Sequence, residues 1–308
     1  MSCERVTRRG LLQGIAGGTA LTANMSINVT ATSYPLKAEY LYVWKQRARN
    51  IVLDGESRAQ FIRHARQLDL SNVFLSSGAL RNANQDILIQ NNRSPLRDFV
   101  KTCNEHGINV HMTIPQKGPE GIRTSVADDL PELKAVADAH GFTGIHFEHE
   151  PYGDGRALIR FLESYDTQLD RVDTGNLQFS IAIAWWWFKK EPEKAIPVRE
   201  HNAVNFVTSM SFYDEAERIQ KRLAWSLINE TESTYPFEPR EMSNKPFVLV
   251  IEISDAPSNE STTFHQEGLE QAATELEWLL DAPITNLREN PQFQGVCIQD
   301  YDALLKLA

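Results

Sequence analysis

Two hydrophobic periods take turns along this chain. Short runs rich in β-branched and aromatic residues occur at "EYLYVW" (39–44), "NVFLSS" (72–77), "INVHMTI" (108–114) and "TGIHFEHE" (143–150). They continue at "LQFSIAIAW" (177–185), "VNFVTSMSF" (204–212), "FVLVIEIS" (247–254) and "FQGVCIQD" (293–300). Each has the length and composition of a strand. Between most of them the apolar positions recur every three to four residues, as in "SRAQFIRHARQLDL", "LRDFVKTCNEHG", "LPELKAVADAHG", "GRALIRFLESYDTQL", "AERIQKRLAWSLINE" and "GLEQAATELEWLLD". That spacing predicts amphipathic helices. Two of them end in His-Gly, His106-Gly107 and His140-Gly141, a helix stop that turns into the next strand. The fifth helix, between "WWWFKK" and the sixth run, is weakly marked, and only "ALLKLA" follows the eighth run.

Strands alternating with helices require a parallel sheet, because each crossover carries its helix back over one face. Eight such units in a chain of this size predict a closed (β/α)8 barrel of the TIM type, one domain over residues 32–308. The competing architecture is a doubly wound open sheet. It usually carries a Gly-rich phosphate loop after its first strand, and "VWKQRARN" is nothing like one. No internal repeat, low-complexity tract or linker interrupts the pattern.

Residues 1–31 stand outside it. "TRRGLLQGIAGGTALTA" pairs Arg8 with Arg9 and follows them with a weakly apolar Gly- and Ala-rich run. This is the layout of a twin-arginine export signal, too short to span a membrane. A plain basic tail is the other reading. The expected location is periplasmic or extracellular, with cleavage after Ala23 or Ala31. The 308 residues are 42% hydrophobic and 23% charged, an ordinary globular balance, and the net charge of −10 argues against a basic nucleic-acid or membrane footprint. A monomer without cofactor is expected. Cys103 and Cys297 are too far apart in sequence to suggest a zinc-type site and read as buried thiols.

Candidate chemistry concentrates in "GIHFEHEPY" (144–152). Side chains alternate along a strand, so Ile145 and Phe147 share an apolar face directed under the helices. His146, Glu148 and Glu150 share the opposite face, directed into the lumen at the C-terminal end of the fourth strand, where barrel enzymes place their chemistry. Ionising one of two stacked carboxyls raises the pKa of the other, which favours a proton donor near neutrality. Glycosidic cleavage needs such an acid on the leaving oxygen.

"TGIHFEHE" resembles the fourth-strand motif D-G-x-D-x-D-x-E of family 18 glycoside hydrolases, the chitinases and endo-β-N-acetylglucosaminidases. Glu150 falls on its final Glu and Glu148 on the preceding Asp. His146 and Thr143 stand where the family has its other two Asp residues. "LQFSIAIA" is similar to the family's fifth strand. "VNFVTSMSFYD" resembles the sixth, ending in Met-x-Tyr-Asp, with Tyr213 and Asp214 matching and Ser211 in place of Met. "GVCIQDYD" resembles the eighth, with Gln299 where a Trp usually floors the sugar site. The resemblance implies Glu150 as acid/base, and a substrate acetamido carbonyl as nucleophile oriented by Glu148, Tyr213 and Asp214.

"HEPY" is also similar to the Asn-Glu-Pro of the large clan of retaining (β/α)8 glycosidases. That likeness places His149 at the Asn position, Glu150 again as acid/base, and Glu252 in "VLVIEISDAP" as nucleophile. Aromatic residues near strand ends, Trp44, Tyr152 and the Trp185–Trp187 trio with Trp186 at its centre, suit a sugar cleft, and His146 and Gln299 are further substrate contacts. At least one or two of the three tryptophans are expected in the core. Two other readings stay open. His146, Glu148 and Glu150, with His111 and Glu252, are a sound ligand set for a divalent ion in a metal-dependent hydrolase or deacetylase, although no compact metal signature is present. An inactive barrel that only binds sugar is the other.

Overall fold

The computed structural model describes residues 34–82, 85–86, 94–115, 126–149, 155–227, 243–255, 262–282 and 286–307. The leader expected over residues 1–31 lies outside them. All eight expected strands form: β1 (Tyr40–Val43), β2 (Asn72–Ser76), β3 (Asn109–Pro115), β4 (Gly144–Glu148), β5 (Gln178–Ala184), β6 (Phe206–Met210), β7 (Phe247–Glu252) and β8 (Phe293–Gln299). Every neighbouring pair is parallel, and β1 closes on β8 to make a barrel in chain order. This is a (β/α)8 barrel, and pairing alone establishes it.

The helices carry the apolar stripes read from sequence. They are α1 (Lys45–Leu53), α2 (Gly55–Leu68), the single turn α3 (Ser77–Leu80), α4 (Pro95–Glu105), α5 (Val126–His140) and α6 (Gly155–Leu169). After β5 come α7 (Trp185–Lys190), α8 (Pro192–Glu200), α9 (Ala216–Leu227), α10 (Gly268–Leu280) and α11 (Tyr301–Leu307). Asp54 accepts from the Ser57 N–H at the start of α2, and Ser94 accepts from Arg97 N–H ahead of Pro95 at the start of α4. Each such cap is worth ~1 kcal/mol. Gly107 and Gly141, the predicted helix stops, sit at φ 74° and 78°, a left-handed conformation that costs glycine nothing.

Three features depart from the sequence expectation. α1 is an extra helix that starts directly after β1, with only Ala48, Ile51 and Val52 buried, so its stripe is too narrow to read. The weakly marked fifth helix is α8, and "WWWFKK" before it is a helix of its own, α7, the two divided at Glu191 before a helix-starting Pro192. "ALLKLA" belongs to a real helix, α11, that buries Tyr301, Ala303 and Leu304.

Side-chain alternation divides the core in two. Outward-facing Leu41, Val73, Val110, Ile145, Phe147, Ile181 and Leu249 join helix residues such as Ile51, Phe61, Phe99 and Phe161 in one large cluster. Inward-facing Tyr40, Tyr42, Phe74, Phe206, Val248, Val250 and Cys297 fill the lumen. Cys103 and Cys297 are buried free thiols, as expected. Burial pushes the Cys103 thiol up to about 12, which makes it unreactive near neutrality.

One lumen position has no room. Gly144 pairs in register with His111, and a Cβ there would lie 2.4 Å from His111 Nδ1 and 2.7 Å from the Gln178 carbonyl oxygen. Gly144→Ala is therefore expected to cost about 2 kcal/mol through overpacking. Urea unfolding checks this, and a midpoint equal to wild type would contradict the packing described.

Candidate functional site

The lumen beneath the barrel mouth is a packed polar-aromatic layer. His146, wholly buried, is hydrogen-bonded through Nε2 to the Tyr42 hydroxyl at 2.7 Å and through Nδ1 to Ser180 Oγ at 2.9 Å. Tyr42 reaches Thr208 Oγ1 at 3.4 Å, so β5, β4, β1 and β6 are joined across the interior. Phe74 lies 4.3 Å from the His146 ring centroid, and His111 sits beside Phe74 and Phe206. Burial pushes His111 down to about 4. Burial drives His146 well below its ordinary value, with His111 and His149 adding like-charge repulsion. Both rings are therefore neutral at pH 7.

Above this layer the strand ends present carboxyls. Glu148 closes β4, partly buried and in alternation on the same side as His146. Glu252 closes β7 and pairs in register with Gln299 on β8. Its Oε1 accepts from the Ser254 N–H at 2.7 Å, yet burial, assisted by the neighbouring Asp300 carboxylate, raises its pKa. The Gln299–Asp300 peptide is cis. Trp44 follows β1, its indole stacked on Tyr42 at 5.0 Å and 9°, and packs on the lumen cluster with Phe212.

Tyr213 and Asp214 follow β6. Two guanidiniums approach the Tyr213 ring, Arg222 at 4.4 Å and Arg218 at 4.5 Å, and its hydroxyl accepts from Arg218. Asp214 Oδ1 is shielded from solvent without a hydrogen-bond partner among the described residues. Burial, then the Glu267 and Glu215 carboxylates, raise its pKa. Asp214 is thus a weaker acid than an ordinary aspartate.

The tryptophan trio opens α7. Trp187 is buried against Phe161 in the helix layer, while Trp186 packs on the same layer beneath Lys190. Trp185 is bracketed by Arg222 and Lys189. Trp186 is thus joined to the outer core, whereas Trp44 is joined to the lumen. His149 points outward among Phe147, Phe161 and Tyr165, as alternation requires. Glu150 and Tyr152 lie outside the described residues.

For the metal reading, both ring nitrogens of His146 are already engaged by protein hydroxyls. Among the described residues no group of three or more His, Cys, Asp or Glu is placed to hold an ion. Sequence reasoning missed Tyr42, the centre of the lumen network, and Asp300, the neighbour of Glu252.

No protein-family model matches the chain, and no curated protein sequence does. Solved structures do. The glycoside hydrolase domain of PgaB (BpsB) from Bordetella bronchiseptica is similar at 11% identity and TM-score 0.48, over 88% of this chain and 96% of that one. A chitinase from Bacteroides thetaiotaomicron is similar at 12% identity and TM-score 0.46, over 87% and 90%. A fungal endo-β-N-acetylglucosaminidase of glycosyl hydrolase family 18 is similar at 10% identity and TM-score 0.46, over 85% and 89%.

Proposed function

We propose that this chain is an exported glycoside-hydrolase-like barrel that takes a polysaccharide or oligosaccharide at its C-terminal mouth, with Glu150 as general acid/base. The observation that carries the reading is the alternation along β4. It buries Ile145 and Phe147 under the helices and sends His146 into the lumen, with Glu148 following on the same side at the strand's C-terminal end. The next residue in that series is Glu150. This end of a barrel is where strand-end side chains from several units converge on a ligand.

Within this reading the neighbouring groups have different work. Glu148, two residues from Glu150, orients the reacting group, with Tyr213 and Asp214 contributing from the end of β6. His146 is neutral and tied to Tyr42 and Ser180, so it adds no negative charge below Glu148. Burial raises the Glu252 pKa, against the lowering effect of the Ser254 N–H that its carboxyl accepts from.

The test is hydrolysis of a panel of oligosaccharides with and without N-acetyl groups, run with wild type, Glu150→Gln and EDTA. Loss of at least ~10²-fold in kcat on Glu150→Gln, with no effect of EDTA, is expected for the loss of a general acid. Activity removed by EDTA would transfer the reading to a metal site. Turnover unchanged in Glu150→Gln would overturn the assignment.

A further inference from the structure

Positive charge gathers where the chain leaves β5 and β6. The chain after β6 becomes α9, and Arg218 and Arg222 stand one turn apart on it. Like charges at that spacing oppose a helix. Both guanidiniums nevertheless turn back toward the strand end. Arg218 lies 4.5 Å and Arg222 4.4 Å from the Tyr213 ring centroid, and Arg222 Nη1 donates to the Phe212 carbonyl. From the end of β5, α7 adds Trp185, with Arg222 4.8 Å and Lys189 5.9 Å from its ring centroid. β5 pairs with β6 on one side and β4 on the other, so the cluster borders the strand that carries Glu148.

The charges in this cluster are unevenly matched. Arg218 is exposed, and its Nε pairs with Glu215 at 2.9 Å. Arg222 is half-buried, and among the described residues it touches one carbonyl and two ring faces but pairs with no carboxylate. Burial pulls the Arg222 pKa down; Tyr213 opposes that and Arg218 adds to it. A guanidinium cannot shed its proton in a protein, so the cost of burying the charge is not relieved that way. A partly desolvated cation without a counter-charge gains when an anion is brought to it. Arg222 Nε and Nη2 donate to no described residue. That planar edge matches two oxygens of a single oxyanion.

We propose that Arg222, with Arg218 beside it, is an anion subsite of the barrel mouth, and that the glycan taken there carries an oxyanion substituent, a carboxylate or a sulfate ester. The inference rests on the carbohydrate reading above and narrows it from a neutral sugar chain to an acidic one. The free edge of Arg222 holds the oxyanion, while Arg218 and Lys189 add charge at longer range. The chain's net charge of −10 repels anions elsewhere, so the attraction is local to this cluster.

Calorimetric titration of the full-length Glu150→Gln chain tests it, in a background chosen so that bound sugar is not turned over. The ligands are chitotetraose, the same tetramer oxidised to carboxylates at its primary alcohols, and the same tetramer sulfated there. An acidic form is expected to bind about 10- to 100-fold more tightly than the neutral one, as a charge-assisted two-point contact allows. Which acid gains tells carboxylate from sulfate. Adding Arg222→Gln is expected to remove most of that gain, read as the ratio of acidic to neutral affinity within each variant. Arg222→Lys keeps the charge without the fork and is expected to fall between. Arg218→Gln changes an exposed side chain that does not endanger the fold, and is expected to lower the ratio about threefold. Acidic forms that bind no tighter than chitotetraose overturn the subsite and leave the carbohydrate reading in place. A ratio that survives Arg222→Gln intact also overturns it. If none of the three ligands binds, the carbohydrate reading fails first and takes this inference with it.

Discussion

Arg199→Ala is expected to lower stability by about 3 kcal/mol, the largest single-site loss outside the lumen. Arg199 ends α8 and is wholly buried. Its Nε donates to Glu200 Oε1 at 2.8 Å, its Nη1 to the Ser226 carbonyl at 2.6 Å, and its guanidinium lies 5.1 Å from the Phe188 ring. The same Glu200 oxygen accepts from Ser243, and Lys245 clamps the His201 and Val204 carbonyls nearby. One side chain thus ties α8, the end of α9 and the segment entering β7. Burial pulls the Arg199 pKa down while Glu200 pulls it up, and the guanidinium, charged at any working pH, is left buried with these partners as its compensation. Removing one partner of a buried pair leaves the other uncompensated, at about 3–5 kcal/mol. Glu200 is a third exposed and recovers some hydration, which selects the lower end. For a domain this size the thermal midpoint is expected to fall on the order of 10 °C. Arg199→Lys keeps the charge but not the two-pronged geometry and is expected to fall between. Because the cluster lies where strands enter the barrel, the proposed sugar binding at the opposite end is expected to be unaffected. A thermal shift below 2 °C for Arg199→Ala would sink the account.

The contrast between what the sequence disclosed and what it hid follows from amphipathic contrast. All eight strands were legible because each is a short run of β-branched and aromatic residues bounded by polar turns. The direction of His146 was legible because its neighbours Ile145 and Phe147 are apolar. Tyr42 was hidden by the same logic: in "EYLYVW" both faces are apolar or aromatic, so alternation offers no polar side to single out. α1 begins after Trp44 without a side-chain cap and buries three residues, leaving neither a start signal nor a stripe. The tryptophan trio looked like a strand end because aromatic residues favour strands, but α7 takes all three, burying Trp187 and leaving Trp185 and Trp186 partly buried. The pairing of Glu252 with Gln299 and its charge coupling to Asp300 arise between strands some fifty residues apart, so local pattern cannot disclose them.

Acid is expected to unfold this barrel through its lumen histidines. In an unfolded chain a histidine titrates near 6.5. In the fold, burial pushes His111 down to about 4 and His146 well below 6.5. The groups facing them are hydroxyls, an amide and aromatic rings: Tyr42, Ser180, Asn72, Phe74 and Phe206. None is a carboxylate that would welcome the imidazolium. A base whose folded pKa is depressed contributes stability that is complete above pH 6.5 and is lost as pH falls from there toward the folded value. For His111 the difference of about 2.5 units amounts to roughly 3 kcal/mol by pH 4, and His146 adds a loss of the same sign. Glu252 and Asp214 act oppositely, since carboxyls with raised pKa values relieve strain on protonation, but both are only partly buried and offset a minor share. Urea unfolding at pH 7.0, 5.5 and 4.5 reads the slope directly. His146→Gln, which can keep hydrogen bonds to Tyr42 and Ser180 without a titrating ring, is expected to be less stable at pH 7 but to lose less between pH 6.5 and 4.5. Parallel slopes for the two proteins would mean that His146 is not a proton-excluding group in the fold, and that the hydrogen-bonded layer beneath the mouth opens to water.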